Sequence, residues 1–208
     1  MTAEYLVPFA AGEAEYIEKR SRFIGRVIPV ESEAAAQEIL AEIRKEHWDA
    51  SHNVYAYSIR GGATRFSDDG EPSGTAGRPV LEVFTREEIT NYICIVTRYF
   101  GGVLLGAGGL VRAYAHSAKL ALAAAGIAAM RPVAVFDFNI DYPLFERVKL
   151  EIAAADGTIE NTEYGADVHI NAFMPRENAA GFSLRMTEIS VGALRPEPVA
   201  ERFLPVRL

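Results

Sequence analysis

The sequence predicts an α+β protein of two domains. At 208 residues the chain is long for one compact domain. Apolar runs of strand length alternate with helix-period segments along its whole length, and Gly126 to Pro132 separates two halves of different texture. The composition, 50% hydrophobic and 24% charged with no low-complexity tract, suits a chain that buries cores without cross-links. The single cysteine, Cys94, excludes an intramolecular disulfide, and within the run Tyr-Ile-Cys-Ile-Val it reads as a small buried hydrophobe.

Taken in order, two extended runs, around 15–18 and 23–30, flank the cationic turn Lys19-Arg20-Ser21-Arg22. Ser32 is placed to cap a helix running to about Glu46, with Ile39, Leu40 and Ile43 on one face. Residues 53–60 alternate Val54, Ala56 and Ser58 against Tyr55, Tyr57 and Ile59, the period of a strand. From Gly61 to Gly77, five glycines and little apolar content predict irregular chain. Pro79 suits the first turn of a short helix ending near Phe84, and 91–100 reads as a buried strand. Glycines 101, 102, 106, 108 and 109 then lead into a helix from Leu110 to Ala125, stopped by Gly126.

The junction is expected between Gly126 and Pro132, dividing an N-terminal domain over 1–128 from a C-terminal domain over 133–208. In the second domain, strand 133–141, helix 143–155, strands 157–162 and 164–173, helix 176–189 and an extended tail 194–206 follow in turn. That order, βαββαβ, is the ferredoxin-like split βαβ.

The first twelve residues carry no basic n-region and no long apolar stretch, so no signal peptide is expected. The most apolar segment, 120–130, is mostly alanine and too short to span a bilayer, which makes the expected location cytoplasmic, with no membrane partner. A net charge of −7 argues against sequence-blind nucleic-acid binding over the whole surface, and no DNA partner is expected. The charge is uneven, however. Residues 1–59 carry 6 Lys+Arg against 10 Asp+Glu and residues 121–208 carry 8 against 12, whereas residues 60–120 carry 7 against 6. The middle third can therefore hold an anion-binding face.

Two stretches there carry candidate chemistry. In Ser67-Asp68-Asp69-Gly70-Glu71-Pro72-Ser73-Gly74-Thr75-Ala76-Gly77-Arg78-Pro79, three carboxylates in four positions could bind Mg²⁺ or serve as acid and base. The alternating Asp/Asn of a calcium loop are absent, and Ser73 lacks the flanking glycines of a nucleophile elbow. The competing expectation is a turn whose carboxylates cap backbone N–H groups, and no other cofactor is expected. In Thr97-Arg98-Tyr99-Phe100-Gly101-Gly102-Val103-Leu104-Leu105-Gly106-Ala107-Gly108-Gly109-Leu110-Val111-Arg112-Ala113-Tyr114, a strand, a glycine loop and a helix start make a plausible anion cradle. It is neither a P-loop, since Ala107 and Gly108 replace Lys-Ser/Thr, nor a dinucleotide fingerprint, since Val111 stands where a third glycine belongs. His47, Asp49 and His52 offer three metal-ligand types without a fourth, and Tyr55, Tyr57, Tyr99 and Phe100 read as base-stacking or core aromatics.

Together, the stretches 67–79 and 97–114 resemble the YigZ/Impact family, and Lys19-Arg20-Ser21-Arg22-Phe23-Ile24 and Ala50-Ser51-His52-Asn53 are similar to its N-terminal patches. The resemblance covers essentially the whole chain, by motif in the first domain and by pattern in the second. It implies a first domain of the ribosomal-protein-S-five-like fold, as in domain IV of elongation factor G. It implies a second like that factor's ferredoxin-like domain V. Eukaryotic Impact proteins, which share only the first domain, regulate translation by contacting the activator of a stress-responsive kinase. Carried onto this chain, the signature surface is Lys19, Ser21, Arg22, His52, Asp68, Asp69, Gly70, Glu71, Pro72, Ser73, Gly74, Thr75, Gly77, Arg78, Arg98, Tyr99, Phe100, Gly101, Gly102, Gly106, Gly108, Gly109 and Arg112.

The expected function is therefore a translation-associated binding protein that engages RNA, the ribosome or a translation factor through this glycine-rich face. Arg78, Arg98 and Arg112 would contact phosphates, with Asp68, Asp69 and Glu71 positioning them or holding Mg²⁺. The alternative is a metal-assisted hydrolase acting on a phosphate or peptide substrate, suggested by the density of Asp, Glu, His, Ser and Arg. A protein–protein module is the third possibility.

Overall fold

The structure, a computed structural model, describes residues 4–208. It divides into two compact units. One runs through Met130 and includes Pro205–Leu208; the other spans Arg131–Leu204.

The first unit is built on an antiparallel sheet of β2 (Gly12–Glu18), β3 (Ser21–Pro29), β4 (His52–Ser58), β5 (Thr64–Ser67) and β6 (Tyr92–Tyr99), in the order β2-β3-β6-β4-β5. β3 and β4 are both antiparallel to β6, which inserts between them, and α1 (Glu33–Glu46) makes the crossover. Ser32 caps α1 by accepting a hydrogen bond from the Ala35 amide at 3.1 Å, as its sequence position predicts. β6 is buried on both faces, which explains its unbroken apolar run. Ile93 and Ile95 join a cluster with Leu40 and Ile43 of α1. Cys94 and Val96 point the other way, into a core with α2 (Gly77–Arg86) and α3 (Ala107–Ala125).

Three features were not read from the sequence. β1 (Tyr5–Pro8) has no local signal because its partner lies far along the chain: Tyr5 pairs with Met130 and Pro8 with Ile127. The stretch expected to be irregular contains β5, a short edge strand whose Thr-Arg-Phe-Ser sequence lacks clear alternation. The junction expected at Gly126–Pro132 does contain the division between the units, after Met130, but it is strand, the start of β7 (Ile127–Ile140). Pro132, with no N–H to donate, falls between the last residue paired to β1, Met130, and Val133, the first paired to a later strand that ends at Pro175.

The second unit continues β7 through α4 (Phe145–Ala154), β8 (Thr158–Tyr164), β9 (Val168–Pro175), α5 (Ala179–Ile189) and β10 (Ala200–Arg207), with 3-10 turns before each helix. β10 lies beside β7, which pairs with β9, which pairs with β8. Strand order β10-β7-β9-β8 with βαββαβ connectivity is the ferredoxin-like arrangement. Phe136, Ile140, Ile170 and Met174 of the sheet pack on Val148, Ile152, Phe182 and Met186 of the helices. None of the described helices is long and apolar enough to cross a membrane.

Burial pushes the Cys94 thiol far above its ordinary pKa. The native protein should therefore not react with a thiol reagent at neutral pH, and denaturant should release one equivalent. Rapid labelling before unfolding would contradict the packing of β6.

Candidate functional site

The ends of three neighbouring strands meet at one place: Arg98 of β6 is in register with Phe23 of β3 on one side and with His52 of β4 on the other. Strand alternation turns Arg98 to the same face as Cys94 and Val96, toward α3. There its Nη1 donates to Glu71 Oε1 at 2.6 Å and its Nη2 to Ser21 Oγ at 3.3 Å. Tyr114 of α3 donates its hydroxyl to the same Glu71 oxygen at 2.7 Å, and His52 Nε2 lies 3.7 Å from it. The side chains of Arg98 and Glu71 are only 6% and 4% exposed. The guanidinium also lies over the rings of Phe23 and Phe100, at 5.4 and 5.5 Å. Burial, then the bond to Glu71, pushes the Tyr114 hydroxyl far above its ordinary pKa, so it stays a donor.

Arg98, expected as a surface phosphate contact, is turned inward and paired with Glu71 instead. A strand position facing a helix is interior, and the charge survives there only because Glu71 is delivered to it.

The other carboxylates of the loop are engaged separately. Asp68 accepts from the amides of Gly74 at 2.8 Å, Ala76 at 3.0 Å and Gly77 at 2.8 Å, closing the loop onto the start of α2. Asp69, in the left-handed region at φ 44°, accepts from Arg44 Nη2 at 2.6 Å and the Asn53 amide at 2.7 Å. His52 Nδ1 sits 2.8 Å from the Asp69 carbonyl oxygen. Thr75 is buried and donates to the Pro72 carbonyl at 2.6 Å; Gly77 lies so close to Ser67 that an added Cβ would come within 2.6 Å of its carbonyl oxygen. Among the described residues no three His, Cys, Asp or Glu side chains converge as metal ligands. His47 and Asp49 meet at the Tyr99 hydroxyl instead, at 2.8 and 3.2 Å.

The strongest surface feature surrounds the β2–β3 turn. Glu18 pairs with Ser21, leaving Lys19 and Arg20 as a two-residue loop with φ of 46° and 68°, the signs of a type I′ turn. Neither is glycine or asparagine, so each holds a left-handed conformation at a cost of about 1–2 kcal/mol. Gly101 secures the turn: its amide donates to Ser21 Oγ at 3.2 Å, and an added Cβ there would meet the Arg20 carbonyl carbon at 2.0 Å. Beside the turn, Lys19, Arg112, His116 and Lys119 line a cavity of about 470 Å³ together with Tyr16, Glu18, Leu105 and Gly109. Arg112, His116 and Lys119 are exposed and follow at i, i+4 and i+7, one face of α3.

A second cavity, about 370 Å³, opens above the buried ion pair. His52, Glu71 and Arg98 line it together with Pro72, Phe100, Leu104, Leu105, Gly106, Ala107 and Leu110. Gly106 begins α3 with φ 74° and supplies no side-chain cap, and the first turn carries no acid. The amides of Ala107, Gly108 and Gly109 precede the first helical bond, from Leu110 to Gly106, and stand free of it.

The remaining expected residues are peripheral. Arg22 pairs with Glu15 at 2.7 Å and lies over Tyr99, and Arg78 pairs with Glu82 at 3.2 Å. Gly70, Gly74 and Gly102 are positive-φ turn positions, and Ser73 is exposed on its loop.

Residues 19–122 match the Impact N-terminal domain, and residues 138–193 match a domain of unknown function, DUF1949. The IMPACT family member YvyE of Bacillus subtilis (strain 168) is 36% identical over 194 residues, 92% of this chain and 89% of that protein. The chain belongs to the Impact family. YigZ of Escherichia coli (strain K12), another member, is 32% identical over 196 residues, 92% of this chain and 96% of that one. The rat protein IMPACT is 34% identical over 109 residues, 50% of this chain and 34% of its own length. Among solved structures, a crystal structure of a hypothetical protein aligns with TM-score 0.61 at 30% identity, covering 96% of this chain and 99% of that one.

The signature loops of this Impact family member thus build two adjacent cavities, one cationic and one floored by a buried ion pair. Sequence reasoning missed Arg44, which holds Asp69, and Tyr114, which reaches Glu71. It also missed His116 and Lys119, although their helical spacing from Arg112 was readable.

Arg98→Met leaves Glu71 buried without its counter-ion and should cost about 3–5 kcal/mol in urea unfolding. Exposed Arg112→Ala should stay within about 0.5 kcal/mol. Equal stabilities would show that the pair does not hold the site together.

Proposed function

We propose that the chain is a translation-associated binding protein of the cytoplasm that engages RNA through the cationic face formed by the β2–β3 turn and α3. One observation carries this reading. Many arginines of the chain are tied to carboxylates, among them Arg22, Arg26, Arg44, Arg78 and Arg98. Lys19, Arg20, Arg112 and Lys119 make no ion pair among the described residues, and three of them line one cavity. Uncommitted cations on a tight turn beside an exposed helix face suit phosphate contacts. Glu18 is the one carboxylate lining that cavity, and it accepts the Tyr16 hydroxyl at 2.6 Å. Membership of the Impact family supports a role in translation, and ribosomal RNA is the partner this chemistry suits best. No observation favours a metal-assisted hydrolase, because Asp68, Asp69 and Glu71 each serve a different structural partner.

Co-sedimentation with ribosomes across a salt series tests the reading. Wild type should associate in a salt-sensitive manner. The triple variant Lys19→Ala, Arg112→Ala, Lys119→Ala should bind more weakly, with its log–log salt slope lowered by about two for three lost single-strand phosphate contacts. Nuclease treatment should abolish the association. Binding that survives nuclease and the triple variant would instead indicate a protein partner.

A further inference from the structure

The cationic cavity does not stand alone. Leu105 lines both it and the cavity above the buried ion pair, so the two adjoin at the end of the glycine loop and the start of α3. The second cavity is unlike a phosphate site. Its wall is apolar and its rim unusually exposed: Leu104 is 82% exposed and Phe100 48%. Its floor holds a carboxylate. Glu71 receives Arg98 and Tyr114 on Oε1, whereas Oε2 accepts no hydrogen bond among the described residues. Oε2 is not one of the buried atoms cut off from both solvent and partners, so it is open to solvent and free to accept from a ligand donor.

We infer that this cavity receives one unstacked nucleobase of single-stranded RNA, a base whose exocyclic amino group donates to Glu71 Oε2 while its ring packs on Phe100 and Leu104. The inference rests on the RNA reading and adds its specificity. A cavity of about 370 Å³ accommodates a base with room to spare, and splayed bases against aromatic side chains are the usual mode of single-strand recognition. A carboxylate selects the amino edge, since a carbonyl oxygen turned toward it is repelled, as in its preference for the cytosine amine. Proximity to the cations supplies the rest: phosphates lie on the Lys19–Arg112 side of Leu105, and the intervening base turns over the loop.

Fluorescence anisotropy of the full chain with three labelled five-residue RNA strands tests this at one salt concentration. One strand is all cytidine, one all uridine, and one abasic with the same ribose-phosphate backbone. Cytidine should bind about ten-fold more tightly than uridine or the abasic strand, the discrimination of one well-placed base contact. Phe100→Ala and Leu104→Ala, at exposed positions that the fold tolerates, should each reduce that preference to about two-fold or less. If the three strands bind alike, or if the preference survives both substitutions, the base site is overturned while RNA binding stands. If no strand binds, the RNA reading and the base site fall together.

Discussion

Much of the first unit's functional face depends on one buried charge pair. Arg98 and Glu71 are separated by a loop and a helix in sequence, yet their contact fixes the position of four elements. Arg98 belongs to the central strand, Glu71 to the loop before α2, Tyr114 to α3, and Ser21 to the start of β3. A buried pair of this kind contributes little net stability compared with apolar residues of the same volume, but leaving either member alone is expensive. The chain therefore resists arrangements in which the loop, helix and hairpin are displaced from one another. The pair acts as a specificity device: it selects one geometry among those the apolar core would allow.

That geometry explains the glycines and the strained turn as parts of one construction. Phe100 and Gly101 continue directly from Arg98, so fixing the arginine brings the Gly101 backbone against Arg20 and Ser21. Only a residue without Cβ fits there. The same contact holds Lys19 and Arg20 in conformations that lysine and arginine rarely adopt, and so presents two cations that local preference would have placed elsewhere. Beyond Gly106, α3 starts without a cap and places Arg112, His116 and Lys119 along the face beside the turn.

How far this was legible in the sequence depends on whether the signal was local. Helix α1 was readable because Ser32 and its apolar spacing lie within one segment, and the βαββαβ order of the second unit because each element carries its own period. Strands β1 and β5 were not, since each is four residues long and takes its identity from a partner. The site shows the same division. The sequence showed where the glycines and charges concentrate, and even the helical spacing of Arg112, His116 and Lys119. It did not show that Arg98 faces inward, although Cys94 and Val96, four and two residues earlier, set that alternation. A charged side chain is expected outside unless its partner is known, and Glu71 reaches it only through the tertiary fold.

The acidity of the chain now has a place in the functional reading. If the partner is RNA, as proposed, a net charge of −7 disfavours its approach over much of the surface and leaves Lys19, Arg20, Arg112 and Lys119 as a place of contact. On that proposal, affinity would rest on few phosphate contacts and discrimination on groups that read something other than charge. The cavity beside the cations is where such groups are found, with an aromatic edge, an exposed leucine and a carboxylate oxygen that lacks a donor. The ion pair that organises the fold engages only one of the two carboxylate oxygens: Oε1 accepts from Arg98 and Tyr114, and Oε2 has no protein donor among the described residues.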